Sequence, residues 1–515
     1  MISFLSKYFL TINNQNGELK KLALLRIFGG LIILARVSQI LITSPYFNTQ
    51  PGAFPVGVLF ISLTFCFTLG FLSNLTTPLA ILSFVQMDGL YGTSTLGTSI
   101  AIQFMTLLFF CKHSTFYSLD ALIIKRADRL SPFFRKVHSI MPEPSSSSLQ
   151  LYYLFAFFCY ALISLAVIIF HLLDPNWIVG DTTGIILTSS FLSKYYMAFR
   201  KFQEEFSAFY SFLSSFSIIG QSIFQVFMIP LVFTKLGRLF VFWWGIVFFL
   251  TCFFLFNLSY LPHIEILFWV AIFVRPFGKE ESRISYQNLN LYSESRNKKW
   301  HKQVVTIFYS GLFFFFIFFK FPFISSFTDK QIRQVDNLWA RNILVFAQNH
   351  INAWLYRLGF SVPVVFNSTD LLMTETWFVL YRIEDSKRIL IPIFDEFGGR
   401  LNYFFSKDYF QFGNHGSDII YFSGTGLYKR MLINNNIVNF HSKGNFGYDF
   451  IKSIMRIDYL KNQFEVDIVY YYEVRNDNSV KEYSTAYAIY RFKYKVIVYD
   501  TIIINKIDAE KLYQF

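Results

Sequence analysis

Ionisable side chains inside apolar stretches are the first places to look for chemistry, because a charge at membrane depth is costly and its presence calls for a reason. Arg26 and Arg36 interrupt the apolar run 22–43. Ten residues on a helix is nearly three turns, which puts both within about 80° of one face. A guanidinium there can hold an anionic headgroup or a substrate carboxylate. The other reading is that each snorkels to its nearer interface, or that Arg36 pairs with Asp88. Gln86 and Asp88 lie in the short run 79–91, where a buried carboxyl without a partner would be protonated. His171 closes the run 149–172, just before Leu173 and Asp174. An imidazole exchanges its proton near neutral pH, which is what a general base must do; the competing reading is a solvated ring at the interface. Trp177 has the character of an interfacial anchor, and Asp120 that of a cap or a loop ion pair. His263 and Glu265 make at most two metal ligands, too few for a site. The expected site is therefore His171 as catalytic residue, with Arg26, Arg36, Asp88, Asp174 and Trp177 binding substrate, and no metal.

The elements that would position these residues are membrane helices. Of the 515 residues 54% are hydrophobic and only 15% charged, against roughly 45–50% and 25% in soluble domains. About 20 apolar residues cross the hydrocarbon core, and nine stretches are candidate spans: 22–43, 54–72, 79–91, 98–110, 149–172, 210–233, 239–258, 264–274 and 304–321. Two of them, 79–91 and 264–274, are short, and 184–192 reads as a further half-helix. The net charge of +13 is spread over alternate loops, which suits topology control and not phosphate binding, so no nucleic-acid partner is expected. Lys7, Lys20 and Lys21 precede the first span. Lys125, Arg126, Arg129, Arg135 and Lys136 share one loop, Lys235 and Arg238 flank another, and 275–302 is basic again. The segment 43–53 has no Lys or Arg, and Asp174 and Asp181 share the loop region after 172. The positive-inside rule then puts the N-terminus in the cytoplasm and the chain after Phe321 outside, in a plasma or inner membrane. No cleavable signal peptide is expected: 1–10 is too short an apolar run, and polar residues follow.

From Ser325 the pattern changes. Thr328 and Gln331 are spaced as a capping box, and Ile332, Val335, Leu338, Trp339, Phe346 and Leu355 recur near helical spacing up to Gly359, a C′ glycine by position. Strands are expected at 388–394, 400–405, 464–474, 483–491 and 493–504, and a helix at 448–460. The four cysteines, Cys66, Cys111, Cys159 and Cys252, all lie in apolar stretches, so no disulfide is expected beyond them. Gly424–Gly426 is too short for a nucleotide loop, and His350, His415 and His441 stand alone in sequence. The expected fold class is a polytopic α-helical membrane bundle of about nine spans followed by a mixed α/β, β-rich extracytoplasmic domain. Its parts are a cytoplasmic segment 1–21, a transmembrane domain 22–321 and a C-terminal domain 322–515.

Four patches carry a resemblance. The run 22–34 (LALLRIFGGLIIL) has an Arg one turn before a small-residue pair. Tyr117–Ala121 (YSLDA) and the run 173–180 (LDPNWIVG) follow the fourth and fifth spans, and a last helix precedes a distinct C-terminal region. In these the chain resembles the HTTM superfamily, the membrane fold shared by vitamin K-dependent γ-carboxylases and bacterial relatives, over roughly residues 20–320. The resemblance implies a lipid-accessible membrane enzyme acting on a lipid or a secreted polypeptide. In the carboxylases a Lys pair that includes the proposed base directly precedes the third patch; here those positions hold His171 and Leu172. Another bacterial branch matures a secreted peptide toxin, which leaves a non-enzymatic maturation, export or immunity partner as the alternative. Membrane lipids and a secreted peptide or protein are the implied partners; the cofactor is unknown from the sequence.

Overall fold

The computed structural model describes residues 12–43, 52–91, 96–124, 137, 144–172, 175–188, 193–256, 258, 260–276 and 294–360, and, as backbone alone, strand segments between 374 and 499. The helices in chain order are α1 (Gln15–Thr43), α2 (Ala53–Leu69), α3 (Ser73–Tyr91), α4 (Leu96–Phe110), α5 (Leu119–Ile124), α6 (Ser146–His171), α7 (Pro175–Val179), α8 (Thr182–Thr188), α9 (Tyr196–Glu205), α10 (Ser207–Leu231), α11 (Lys235–Leu255), α12 (Leu261–Phe273), α13 (Glu294–Phe319), α14 (Ile324–Arg333) and α15 (Leu338–Arg357).

Helix α6 is the axis of the bundle. Ser145 opens it, its hydroxyl accepting from the Ser148 backbone N–H at 3.2 Å, the usual use of a serine N-cap. Of its 26 residues 18 are buried, and α4, α10, α12 and α13 pack around it. Phe155 stacks on Tyr309 of α13, and Tyr160 meets Trp269 of α12 edge-on. Helices α1, α2 and α3 form a second group beside α4. The pair Gly29–Gly30 lets them close up: a Cβ on Gly29 would meet the Phe104 ring at 2.3 Å, and one on Gly30 the Thr68 hydroxyl at 2.5 Å. The outer faces of α10 and α11 present Phe212, Phe216, Trp243 and Val247, a large apolar surface that suits lipid and not water.

The fold class expected from sequence is corrected. The part in which side chains as well as backbone are described is 84% helical and holds no strand. Among the described residues four helices are long and apolar enough to cross a membrane, Ser146–His171, Ser207–Leu231, Lys235–Leu255 and Trp300–Phe319, against the nine stretches proposed. The other stretches also lie on helices, but α2, α4 and α12 have 17, 15 and 13 residues, or about 26, 23 and 20 Å at 1.5 Å per residue. A β-rich C-terminal domain is not supported either, because the chain first continues after Phe321 as two more helices, α14 and α15. Farther on only backbone pairing is described. Strands β1 (Thr374–Glu384), β2 (Lys387–Ile391), β3 (Phe464–Arg475), β4 (Tyr483–Lys493) and β5 (Val496–Tyr499) pair antiparallel in the order β2-β1-β3-β4-β5. Strand β2 pairs with β1; the expected partner at 400–405 and the helix at 448–460 lie outside the described residues.

The expected capping box at Thr328 is also corrected. Helix α14 begins four residues earlier, and the Thr328 hydroxyl donates back to the Ile324 carbonyl at 2.8 Å. The stop at Gly359 is as expected: φ is +82°, and the Phe360 N–H donates to the Leu355 carbonyl at 2.8 Å, closing a Schellman turn.

Candidate functional site

The polar side chains of the bundle gather at two ends. The first end is where α1 and α6 begin and α4 and α12 finish. Glu18, 1% exposed, accepts from Tyr153 at 2.8 Å and pairs with Lys21 at 2.7 Å and Arg275 at 3.3 Å. The Lys21 ammonium also donates to the carbonyls of Ala271 and Val274, the open end of α12. Lys21 and Arg275 both stand over the Tyr153 ring. One carboxylate thus ties α1, α6 and the end of α12 together. Nearby, Tyr152 and His301 share a hydrogen bond of 2.9 Å, leaving the buried His301 Nε2 without a partner.

Arg26 also belongs to this end. It is fully buried, and its Nε donates to the Thr68 carbonyl at 3.2 Å, one Nη to that of His113 at 3.1 Å and the other to that of Tyr117. The guanidinium fork is matched to carbonyls of two separate segments, one at the end of α2 and one after α4. Asp120 completes the arrangement: its carboxylate accepts from the backbone N–H groups of Leu72 at 2.7 Å and Ser73 at 2.9 Å, and from the Ser73 hydroxyl. It caps α3 from outside the helix, at the end where the helix dipole favours an anion. His113 hydrogen-bonds Thr77 at 3.0 Å and meets Phe67 edge-on. Burial first, and the Arg26 charge second, hold its imidazole well below the ordinary pKa of 6.5.

The second end holds Arg36, 4% exposed, with its guanidinium 5.3 Å over the Tyr260 ring. The Tyr260 hydroxyl lies 3.2 Å from that of Thr98. One turn along α4, Gln103 donates to the Gly359 carbonyl at 2.9 Å, and its own amide oxygen is buried without a partner. His171 lies at this end too. Its ring is 3% exposed and stacks on Trp177, centroids 4.2 Å apart and planes 9° from parallel. Trp177 donates to Ser222 at 3.2 Å. A solvated interfacial ring, one of the two readings of His171, does not match this burial.

The structure thus separates the expected site residues. Arg26 lies at the first end, and Arg36, His171 and Trp177 at the second. Asp88 lies on α3 with its side chain outside the described residues, and Asp174 lies wholly outside them. His263 and Glu265 fall on opposite faces of α12: the first is exposed against Phe253, and the second is buried with Tyr160 3.4 Å away. Among the described residues no three His, Cys, Asp or Glu side chains come together as metal ligands. Sequence reasoning missed Glu18, Tyr152, Tyr153, Arg275 and His301. The available signal was polar residues within a turn of the span boundaries at 22, 149, 274 and 304. No known family model, curated protein or solved structure matches the chain.

Proposed function

We propose that this chain is an HTTM-type integral membrane protein, distantly related to the vitamin K-dependent γ-carboxylases. In this reading it binds an acidic amphiphile, a lipid or a secreted polypeptide, at the second end of the bundle and modifies it there. The observation that carries the reading is Arg36: a guanidinium buried in that end over an aromatic ring, with hydroxyls nearby, the surroundings in which an acid group is held with little competition from water. His171, stacked on Trp177 at the same end, serves as the base. The family assignment has its own support. Residues of the first and second patches meet in space, Arg26 donating to the Tyr117 carbonyl, and His171 lies directly against Trp177 of the third. Loop charge puts the first end in the cytoplasm and the second outside.

The test is native mass spectrometry of protein purified in lipid nanodiscs. Arg36→Gln is expected to fold and to lose bound acidic lipid or precursor at least tenfold. His171→Phe, which keeps a stacked ring, is expected to bind as before and to leave the bound species unmodified. Retention of the same acidic species by Arg36→Gln would overturn the binding reading. If His171→Phe were silent while Arg36→Gln lost its ligand, a non-enzymatic maturation or export partner would be favoured instead.

A further inference from the structure

Helices α14 and α15 leave a broad apolar surface exposed at the second end. Phe323, just before α14, and Phe327, within it, are exposed. On α15, Trp339, Ile343, Phe346 and Trp354 are 75%, 45%, 62% and 52% exposed. At 100° per residue these four share an arc of about 80°. The opposite side of α15 packs inward through Leu355, 2% exposed, and Ile351. Asn342 and Asn349 are exposed on the flank. Leu338, Leu344 and Val345 are exposed as well, outside that arc, and His350 and Arg357 are exposed within it, so apolar side chains make up much of the exposed surface of α15 and Asn342 and Asn349 its polar flank.

The anchoring of α15 fixes its height. Helix α14 follows α13 after four residues, so α15 cannot lie far from where α13 leaves the membrane. Its other end is docked below that level. Phe360, 1% exposed, lies against Phe316 and Phe313 of α13, ring centroids 5.4 and 6.4 Å away. These residues are three and six positions before the end of α13 at Phe319, or about 5–9 Å inside it. Helix α4 gives the same depth: Gly359 meets Ser99, Ile102 and Gln103, about 5–10 Å from the start of α4 at Leu96. Interfacial helices sit about 5–10 Å into the headgroup–acyl boundary. The backbone at the docked end is satisfied as that depth requires, by the Schellman turn and by Gln103 on the Gly359 carbonyl.

From this geometry we propose that α14 and α15 form a hairpin lying in the plane of the membrane, with the lipid headgroup–acyl boundary as the occupant of the exposed apolar face. Helix α13, which both helices contact, also exposes Phe314, Phe315 and Phe318. Residues 320–357 carry five Lys or Arg against two Asp, so the hairpin favours anionic lipid. Arg357 stands over the Trp354 ring and lifts its charge toward the headgroups. The inference does not depend on the proposed activity, because it uses none of Arg36, His171 or Trp177.

The test uses the full chain with Cys66→Ser, in nanodiscs of phosphatidylcholine and phosphatidylglycerol. A nitroxide is attached at Ile343→Cys, or separately at Asn349→Cys, and its collision rates with oxygen and with a neutral nickel chelate are measured. Phe346→Cys is a second apolar-face site should Ile343→Cys not fold. The expected result is several-fold greater access to oxygen than to nickel at 343, and the reverse at 349. Low access to both at 343 would mean that protein covers the face, whether later residues of this chain or a second copy. High nickel access at 343 would mean that it faces water. Either result overturns the proposal.

Discussion

At the scale of residues, burial decides what each ionisable group does. Arg26 and Arg36 look equivalent in sequence, two cations ten positions apart on one helix. Arg26 donates to three carbonyls, and Arg36 lies over the Tyr260 ring. No local pattern separates them, because the carbonyls that hold Arg26 come from residues 42 to 91 positions away. His113 gives a measurable consequence. Its pKa is held below 6.5 in the folded state by burial and by Arg26. Above pH 6.5 the ring is neutral in both folded and unfolded chains, so it adds no pH dependence. As pH falls below 6.5, the unfolded chain takes up a proton that the folded one refuses. Stability therefore declines toward acid, by up to about 1.4 kcal/mol per pH unit for this one group, until the folded pKa is reached. Unfolding by SDS titration between pH 5 and 7 should show this decline, and His113→Gln should flatten it. An unchanged slope in the variant would assign the acid sensitivity to other groups.

At the scale of elements, Gly359 is the stop that positions α15. Its φ of +82° is left-handed, and a Cβ there would meet the Ser99 carbonyl at 2.6 Å. Gly359→Ala should cost roughly 1–2 kcal/mol for the backbone alone, more with the clash, and should loosen α15 from α4. Trypsin should then cut at Arg341 or Arg357 several-fold faster, while cleavage elsewhere in the bundle is unchanged. Equal rates in both proteins would show that the docking of α15 does not rest on this residue. The end of α15 was legible in sequence because a glycine after an apolar helical pattern has one common use. The start of α14 was not: it follows Phe323, a non-glycine residue at φ +66° with no side-chain cap, so nothing in the residue types marks it. The Asp120 cap escaped a firm reading because it reaches 47 and 48 residues back to a helix it does not belong to.

At the scale of the molecule, hydropathy located helices but not which of them cross. Apolar content is a property of each stretch, whereas crossing also needs length, and α2, α4 and α12 are short. Membrane integration rests on the four long helices. The proposed orientation makes a separate prediction. An alkaline phosphatase fused after Phe515 should be active, and a fluorescent protein that matures only in the cytoplasm should be dark there and bright at the N-terminus. The opposite pattern would invert the molecule and put Arg36 and His171 on the cytoplasmic side.

The Arg26 fork also sets an order of events during synthesis. Its partners emerge late: the Thr68 carbonyl comes 42 residues after it and the Tyr117 carbonyl 91 residues after it. At about 5–20 residues per second, the ribosome takes roughly 5–20 s to supply the last of them. For that interval the guanidinium lacks its native acceptors and is held by water, headgroups or the insertion machinery instead. Only when the segment after α4 arrives can the charge be sealed, so α1, the first helix to be made, is finished only after α2, α3 and α4 have been made.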